Sequence, residues 1–215
     1  MATRASASPE RAGAAARTLR ARVYYDFAST LCYVAHRVFA ELEPRFGEIG
    51  VELDWCPLDL ADLLGWRRGV PVDQDRLANA ERVAAEFGVA VRPLPVWPDS
   101  RDALAAALAL GDGPRAAAFR ERLWAAAFEE RRAIDAPGAV ADFARDLGLA
   151  LDPLDLERER NELERITREA HEQGVTGLPT LMLGAFPFPG IQSRETTWLV
   201  VERWARTARA SELLT

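Results

Sequence analysis

The chain has 215 residues, of which 49% are apolar and 28% are charged, and these values are typical of one globular domain with a sizeable core. Its net charge of −6 argues against a nucleic-acid partner, because a phosphate backbone selects a basic surface. The longest uninterrupted apolar stretch, residues 103–110, is far shorter than the roughly 20 residues of a membrane-spanning helix. We therefore expect no nucleic-acid partner and no membrane partner.

Residues 1–21 are rich in Ala and Arg but lack the apolar stretch of a secretory signal, so we expect a disordered N-terminal leader. The 2 Cys are too few for a disulfide framework or for a structural zinc site without other ligands. The spacing of the 2 Cys and 2 His matches no common metal-binding pattern, so no metal cofactor is expected. We expect a cytoplasmic protein, since structural disulfides are rare in that compartment.

A β-α-β unit is predicted after the leader. Residues 23–27 are rich in aromatic and β-branched side chains and predict a short interior strand, with order beginning at residue 22. From Leu31 the apolar residues recur at helical spacing, which predicts a helix closed by Pro44 and Gly47. Residues 51–56 alternate between apolar and polar side chains and predict a second strand, parallel to the first because the helix crosses over between them.

Residues 58–173 predict an all-helical block, because proline or capping residues repeatedly precede apolar residues at helical spacing. Helices are expected at residues 73–87, after residue 100, from 114, at 137–148 and from 153 to about 173. The end of the chain returns to strand, with two short strands and a last helix predicted at residues 177–183, 186–188 and 193–208. The predicted order is β-α-β, a helical block, then β-β-α.

Three short motifs flank these elements. Residues 25–33 read Y-D-F-A-S-T-L-C-Y, where the first strand runs into a helix; residues 174–180 read G-V-T-G-L-P-T; residues 188–193 read F-P-G-I-Q-S. The chain resembles the DsbA-like branch of the thioredoxin superfamily. Its first motif is similar to that branch's strand followed by C-P-W-C-Y, and its second to G-V-x-G-V-P-T with a cis-proline. The third resembles the G-x-Q-x turn of FrnE-like members.

This resemblance implies an α/β thioredoxin-like fold with an all-helical insertion between the second and third strands. Residues 22–57 and 174–209 would form the thioredoxin-like domain, and residues 58–173 would form the helical insertion. The domain organisation predicted from the resemblance thus agrees with the order of elements predicted from periodicity.

The chain departs from the oxidoreductases of this branch at the nucleophile. Ser29 stands where they carry the attacking cysteine, Thr30 replaces their proline, and the second cysteine is retained as Cys32. A hydroxyl cannot form a mixed disulfide, so a standard dithiol cycle is not expected. A serine at the first position is the pattern of kappa-class glutathione transferases and 2-hydroxychromene-2-carboxylate isomerases, which share the fold and use glutathione. Their fourth position is not normally a cysteine, so the chain lies between the two subgroups.

The resemblance makes Ser29 and Cys32 the candidate catalytic residues. Backbone N–H groups at the first helix N-terminus favour an anion and would stabilise a bound thiolate, to which Ser29 could donate a hydrogen bond. A cis bond before Pro179 would turn the backbone of Leu178 toward the cleft, where it could pair with a peptide or with glutathione. Further substrate-binding candidates are Gln192 and Ser193 for a carboxylate, aided by Arg194, and Trp66, Trp97 and Phe188 as walls for an apolar co-substrate.

Ordinary structural roles stay open for the same residues. Ser29 fits a helix N-cap, and Cys32 fits a small buried apolar residue. Gln192 and Ser193 fit a helix start. A redox pair of Cys32 with Cys56, which ends the second strand at the same sheet edge, is a further alternative.

Three functions follow as hypotheses. The first is an FrnE-like oxidoreductase-type enzyme of the DsbA family that acts on thiols by glutathione-dependent or monothiol chemistry. The second is a kappa-like glutathione transferase, or a 2-hydroxychromene-2-carboxylate-type isomerase, acting on an aromatic small molecule. The third is a non-catalytic fold that binds peptides. We expect a small-molecule or thiol substrate and glutathione as co-substrate, and the resemblance to kappa-class proteins allows a homodimer.

Overall fold

The computed structural model of the protein describes residues 17–212. Most of the predicted leader, residues 1–16, lies outside the described residues. The described chain forms these strands and helices: β1 Leu19–Tyr25, α1 Thr30–Glu48, β2 Val51–Pro57, α2 Leu60–Leu64, α3 Gln74–Glu86, α4 Arg101–Leu110, α5 Pro114–Trp124 continued by a π-helical turn Ala125–Glu129, α6 Ala139–Asp146, α7 Pro153–Glu172, β3 Thr180–Leu183, β4 Phe186–Pro189 and α8 Arg194–Glu212.

The four strands form one sheet in the order β2-β1-β3-β4. β1 pairs in parallel with β2, from Leu19 opposite Val51 to Tyr25 opposite Pro57, while β3 pairs antiparallel with both β1 and β4. The interior position of β1 and its parallel pairing with β2 are therefore confirmed. This arrangement brings the carboxyl ends of β1 and β2 to the same edge of the sheet, next to the beginning of β3.

β1 begins at Leu19, three residues before the predicted beginning of order. The Leu19 backbone N–H donates to the Gly50 carbonyl (3.0 Å), and the side chains of Leu19 and Ala21 are buried on one face of the sheet. Exposed Arg20 and Arg22 alternate with them. The sequence pattern did not predict this half of the strand, because its exposed positions are polar and Leu19 is the only large apolar side chain at its buried positions.

Two helices differ from the prediction. α1 continues through Pro44, one of its two predicted closing residues, and ends at Glu48, one residue after the other, Gly47; in this last turn Phe46 stacks on Trp198 of α8 with ring centroids 6.1 Å apart. Helix α2 was not predicted. Asp59 caps it by accepting hydrogen bonds from the N–H groups of Ala61 and Asp62, and its five residues are too few to show a helical period.

Helices cover both faces of the sheet. On one face, Trp55 of β2 contacts Phe39 of α1 (ring centroids 6.0 Å apart), and α8 packs beside α1. On the other face, α4 and α7 pack against each other, and residues such as Leu108 and Ile166 face Cys56 of β2. The core therefore lies on both sides of β1 and β2.

The last elements follow the predicted order with shifted bounds. β3 begins at Thr180 rather than at residue 177, since Pro179 has no N–H to give to a ladder, and α8 extends to Glu212. Between β2 and β3 the chain is helical, apart from an isolated antiparallel bridge between Pro71 and Val96. The protein thus has a thioredoxin-like α/β fold with a helical insertion between its second and third strands, as the sequence predicts. Across residues 17–212, no helix has the length and apolar character needed to cross a bilayer.

Candidate functional site

A tight turn after β1 places Ser29 at the N-terminus of α1. The Ser29 N–H donates to the Asp26 carbonyl (3.2 Å), and the Ala28 N–H donates to the Asp26 carboxylate (2.8 Å). Ser29 has the extended backbone of an N-cap, and its Oγ accepts a hydrogen bond from the Cys32 N–H at 3.2 Å. The capping role predicted for Ser29 is thus present in the structure, and the serine hydroxyl still has its own proton to donate.

Two backbone N–H groups at the beginning of α1 are unpaired. Within residues 17–212 no acceptor lies in hydrogen-bond geometry for the N–H of Thr30 or of Leu31, whereas Cys32 and Tyr33 donate to Ser29. The first turn of α1 contains no acidic side chain. The positive end of this 19-residue helix is therefore not neutralised within its own first turn, and it is suited to an anion.

Ser29, Thr30 and Leu31 line a pocket of about 280 Å³. Trp66 and Trp97 form one wall, with ring centroids 4.7 Å apart. The remaining lining comes from the turn after β1, from α2, from α3 and the residue Val72 before it, and from the segments before α4 and β3. These lining residues are Ala28, Leu60, Leu64, Val72, Arg76, Leu77, Asn79, Ala80, Leu94, Val96, Gly177 and Leu178. The pocket is mainly apolar, and most of its polar groups lie at the beginning of α1 and on α3.

Leu178 and Pro179 bound the pocket from the side of β3. The Leu178–Pro179 peptide bond is cis, and Leu178 lines the pocket. The Pro179 carbonyl accepts a hydrogen bond from the Gly190 N–H (2.8 Å), and the Thr180 hydroxyl donates to the Gly177 carbonyl (2.7 Å). No described residue pairs with the N–H or C=O of Leu178. That peptide unit can therefore bind an extended ligand backbone.

Cys32 lies beneath the pocket and does not line it. Its side chain has no exposed surface. Burial raises the pKa of the Cys32 thiol to about 12, although a hydrogen bond with the Ser29 hydroxyl opposes part of this rise. A neutral, enclosed thiol is a poor nucleophile, so the geometry favours the packing role of Cys32 over a reactive one.

Cys56 and His36 do not join this site. Both cysteines are free, and Cys56 lines a different pocket, between the sheet and helices α4 and α7. The pKa of Cys56 is also raised to about 12, mainly by burial. His36 bonds to Glu121 through Nε2 (2.5 Å) and packs against Trp124, and it does not line the pocket.

The candidates near the last helix lie outside the pocket. Gln192 and Ser193 are exposed, and Ser193 Oγ accepts a hydrogen bond from the Thr196 N–H at 3.1 Å in the manner of a helix cap. Arg194 forms two hydrogen bonds to Glu41 of α1, at 2.6 and 2.8 Å. Phe188 does not line the pocket either. The structure thus brings together Ser29, Leu178, Trp66 and Trp97, but not Gln192, Ser193 and Phe188.

The model of the DSBA-like thioredoxin domain matches residues 21–197, which is most of the chain. The chain belongs to this family. Comparison with curated proteins gave no match.

A comparison with solved structures supports the fold of this DSBA-like domain. A 2-hydroxychromene-2-carboxylate isomerase is 21% identical with a TM-score of 0.68, over 92% of this chain and 100% of that one. A probable DsbA oxidoreductase from Streptomyces coelicolor is 19% identical with a TM-score of 0.69, over 86% and 89%. The cytosolic disulfide reductase DsbM from Pseudomonas aeruginosa is 19% identical with a TM-score of 0.52, over 92% and 100%. The structural neighbours therefore include both oxidoreductases and an isomerase.

Sequence reasoning missed the contribution of α3 to the pocket of this DSBA-like domain. The guanidinium of Arg76 lies over the Trp66 ring, 4.5 Å from its centroid, and Leu77 and Ala80 complete the wall. The only signal was the amphipathic spacing of residues 73–87, which predicts an apolar face but not what it covers. Sequence reasoning also overlooked Asp26, although an aspartate directly after a strand and before a capped helix is typical of a turn residue.

Metal ligation has no counterpart in the described chain. Across residues 17–212 no three side chains of His, Cys, Asp or Glu are grouped closely enough to hold a metal ion.

Proposed function

We propose that this protein is a glutathione-dependent enzyme acting on an apolar or aromatic small molecule, as a transferase or an isomerase and not as a dithiol oxidoreductase. The observation that carries the proposal is that the Ser29 hydroxyl, the unpaired N–H groups of α1 and the two tryptophans line one pocket. Cys32, the sulfur that a redox cycle would use, is enclosed beneath it.

The beginning of α1 supplies what a bound thiolate needs. The N–H groups of Thr30 and Leu31 are unpaired, and the Ser29 hydroxyl can donate a third hydrogen bond. A hydrogen bond to a charged acceptor contributes about 1.5–3 kcal/mol, so one such bond is enough to lower a thiol pKa by one to two units. From an ordinary thiol pKa of about 8.5, two or more such bonds would leave the bound thiol largely ionised near neutral pH.

The chemistry is the same in its first step for both reaction types. The thiolate sulfur forms a C–S bond with an electrophilic carbon of the second substrate, whose displaced electron pair moves to a leaving group or to a conjugated oxygen. A transferase releases the thioether product. An isomerase breaks the C–S bond again after a bond rotation or ring change, which regenerates the thiolate. The Ser29 proton stays on its oxygen throughout, since the hydroxyl only donates a hydrogen bond.

The other walls of the pocket suit the remaining parts of the two substrates. The N–H and C=O of Leu178, which have no partner among the described residues, would pair with the backbone of the cysteinyl residue of glutathione. Trp66 and Trp97 offer aromatic faces to a flat apolar molecule. The 2-hydroxychromene-2-carboxylate isomerase among the structural relatives is a precedent for such a substrate on this fold.

Calorimetry with reduced glutathione on four proteins tests the proposal. The wild type binds, and Ser29→Ala weakens binding about tenfold, which corresponds to one hydrogen bond of about 1.4 kcal/mol. Ser193→Ala is the matched control, because it removes another capping serine that does not line the pocket. Cys32→Ala leaves glutathione affinity within about twofold of wild type, since the thiol has no exposed surface.

Other outcomes would select the other functions. Absence of glutathione binding, together with insulin reduction that is lost in Cys32→Ala, would make the protein a thiol–disulfide oxidoreductase. Absence of both activities, with a peptide bound beside Pro179, would leave a peptide-binding fold without catalysis.

A further inference from the structure

Asp26 is a buried carboxylate for which the proposed chemistry has no use. It follows β1 directly, and only 1% of its surface is exposed. Its Oδ1 accepts a hydrogen bond from the Ala28 N–H (2.8 Å), and its Oδ2 accepts one from the Leu60 N–H (2.7 Å). The Ser100 hydroxyl also hydrogen-bonds to this carboxylate. Two backbone N–H groups and one hydroxyl of the described residues therefore face the two oxygens of Asp26.

The two backbone groups that Asp26 holds belong to two separate segments that line the pocket. Ala28 is part of the turn that ends at Ser29, while Leu60 is the first residue of α2 and lines the pocket together with Leu64. A small cavity behind the pocket is lined by Asp26, Ala28 and Leu60 as well. One carboxylate therefore joins two segments that the chain separates by a whole strand and helix.

We propose that Asp26 is a positioning residue whose ionised carboxylate sets the spacing between the Ser29 turn and helix α2, so that the pocket is in its binding geometry only while Asp26 carries its charge. The link to ligand binding rests on the proposed function; the link to pocket geometry does not. Protonation removes the negative charge and makes one oxygen an O–H group, which is a weaker acceptor, so the hydrogen bonds from the Ala28 and Leu60 N–H groups are weakened.

The surroundings of Asp26 raise the pKa of its carboxyl into a range in which a moderate change of pH alters its charge. Burial raises the pKa of Asp26 to about 6, and the negative charge of Asp59 contributes in the same direction, while the hydrogen bonds lower it. Asp59 is itself paired with Arg68. The other titratable or charged groups that face Asp26 are Tyr25 on β1, Cys32 on α1, and Arg67 and Arg68 in the loop after α2.

A pH titration of the ligand-free protein by nuclear magnetic resonance tests the geometry. The Asp26 carboxyl carbon and the amides of Ala28, Leu60, Thr30 and Leu31 should shift together, with one midpoint near pH 6. The proposal is overturned if the carboxyl titrates while the amides of Thr30 and Leu31 stay constant. It is also overturned if the Asp26 carboxyl titrates near its ordinary value. This measurement needs no variant and no ligand.

Two variants sharpen the titration. Asp26→Asn should remove the midpoint near pH 6 from all four amides. Asp59→Asn is the matched control: it changes a second buried carboxyl at α2 that makes no bond to the Ser29 turn. It should keep the midpoint but move it to lower pH, because one neighbouring negative charge is gone. A midpoint that persists in Asp26→Asn assigns the titration to another group and rejects the proposal.

Binding of S-methylglutathione then connects the geometry to function, because this probe has no ionisable thiol. If only the ionised form binds, the affinity of the wild type falls about tenfold from pH 7 to pH 5, in proportion to the ionised fraction. In Asp26→Asn the affinity should not change over that range. A wild-type affinity that is constant with pH refutes the link to binding. Failure of the probe to bind at any pH would instead reject glutathione as ligand and leave the amide titration to decide the role of Asp26.

Discussion

Two of the pockets among the described residues, one between the sheet and helices α4 and α7 and one at Ser29, differ in how their polar groups are paired. The pocket beneath α4 and α7 is the larger, about 340 Å³ against about 280 Å³, and it contains the partly exposed thiol of Cys56. Most of its charged side chains are paired with one another: Arg22 with Asp54 at 2.8 Å, and Arg165 with two glutamates of α7.

In the pocket at Ser29, two N–H groups at a helix N-terminus and the N–H and C=O of Leu178 have no partner within residues 17–212, and they lie beside an apolar wall. The difference teaches that a site on this fold is marked by unsatisfied backbone groups beside apolar surface. The presence of a thiol is a poorer guide, because one of the two cysteine thiols lies in the pocket whose charges are mostly paired and the other lies in the closed core.

Cysteine labelling should show the largest difference. A small maleimide reaches Cys56 directly, but it reaches Cys32 only through local unfolding, because Cys32 has no exposed surface. We expect Cys56 to react about a thousandfold faster than Cys32 in the native protein, and both to react at similar rates in denaturant. Mass spectrometry of Cys32→Ala and Cys56→Ala separates the two rates. Equal native rates would mean that Cys32 opens to the pocket and would restore it as a candidate nucleophile.

The second largest difference is expected between two ion pairs, one beside each pocket, in their contributions to the free energy of unfolding. Arg68 pairs with Asp59, which is 1% exposed and holds the beginning of α2, whereas the Arg22 side chain of the other pocket is half exposed. Arg68→Met leaves a buried carboxylate unpaired and should lower the free energy of unfolding by about 3 kcal/mol. Arg22→Met should lower it by less than about 1 kcal/mol. Urea denaturation measures both, and similar losses would contradict the contrast.

Most of the fold could be predicted from the sequence, because the elements follow from hydrophobic periodicity and from the residues that begin or end them. The helical spacing from Leu31, the alternation in β2 and the prolines that open α5 and α7 gave the order of elements. What failed depended on tertiary contacts. α1 continues past Pro44 because Phe46 packs on Trp198, and α2 exists because Asp59 caps it against α7, where Thr167 Oγ1 accepts the Asp59 N–H at 3.1 Å.

The candidate site was accessible only in part. The motif residues Ser29, Leu178 and Trp66 do line one pocket, since a strand end, a helix beginning and the insertion meet there. Gln192 and Ser193 lie elsewhere, because the turn before α8 follows β4, the edge strand, and not β1. Arg76 and Asp26 were missed because their roles depend on distances across the chain, to Trp66 and to Leu60, that no local pattern encodes.

Asp26 should also leave a signature in the pH dependence of stability. Its pKa rises from 3.8 to about 6 on folding, so the native state binds more protons than the unfolded state in that interval. Stability attributable to Asp26 is therefore present at low pH and falls as pH rises, by about 2 kcal/mol between pH 4.5 and pH 7. Asp26→Asn should lack this fall.

The comparison of wild type with Asp26→Asn isolates the effect. Glu41, Asp99 and Glu121, whose pKa values are lowered by arginine and histidine partners, act in the opposite direction in both proteins and cancel. Urea denaturation at a series of pH values gives the two curves. A constant difference between them would show that the carboxyl is not destabilised by its burial.

The smallest expected effect compares the apolar walls. S-hexylglutathione should bind more tightly than S-methylglutathione, because its chain reaches the wall formed by Trp66 and Trp97. Trp97→Ala should weaken the hexyl ligand about tenfold, or about 1.4 kcal/mol, and leave the methyl ligand unchanged. Ile166→Ala removes an apolar side chain from the other pocket and should affect neither ligand. If Ile166→Ala weakens the hexyl ligand and Trp97→Ala does not, the apolar substrate binds beside Cys56, and the assignment of the two pockets is reversed.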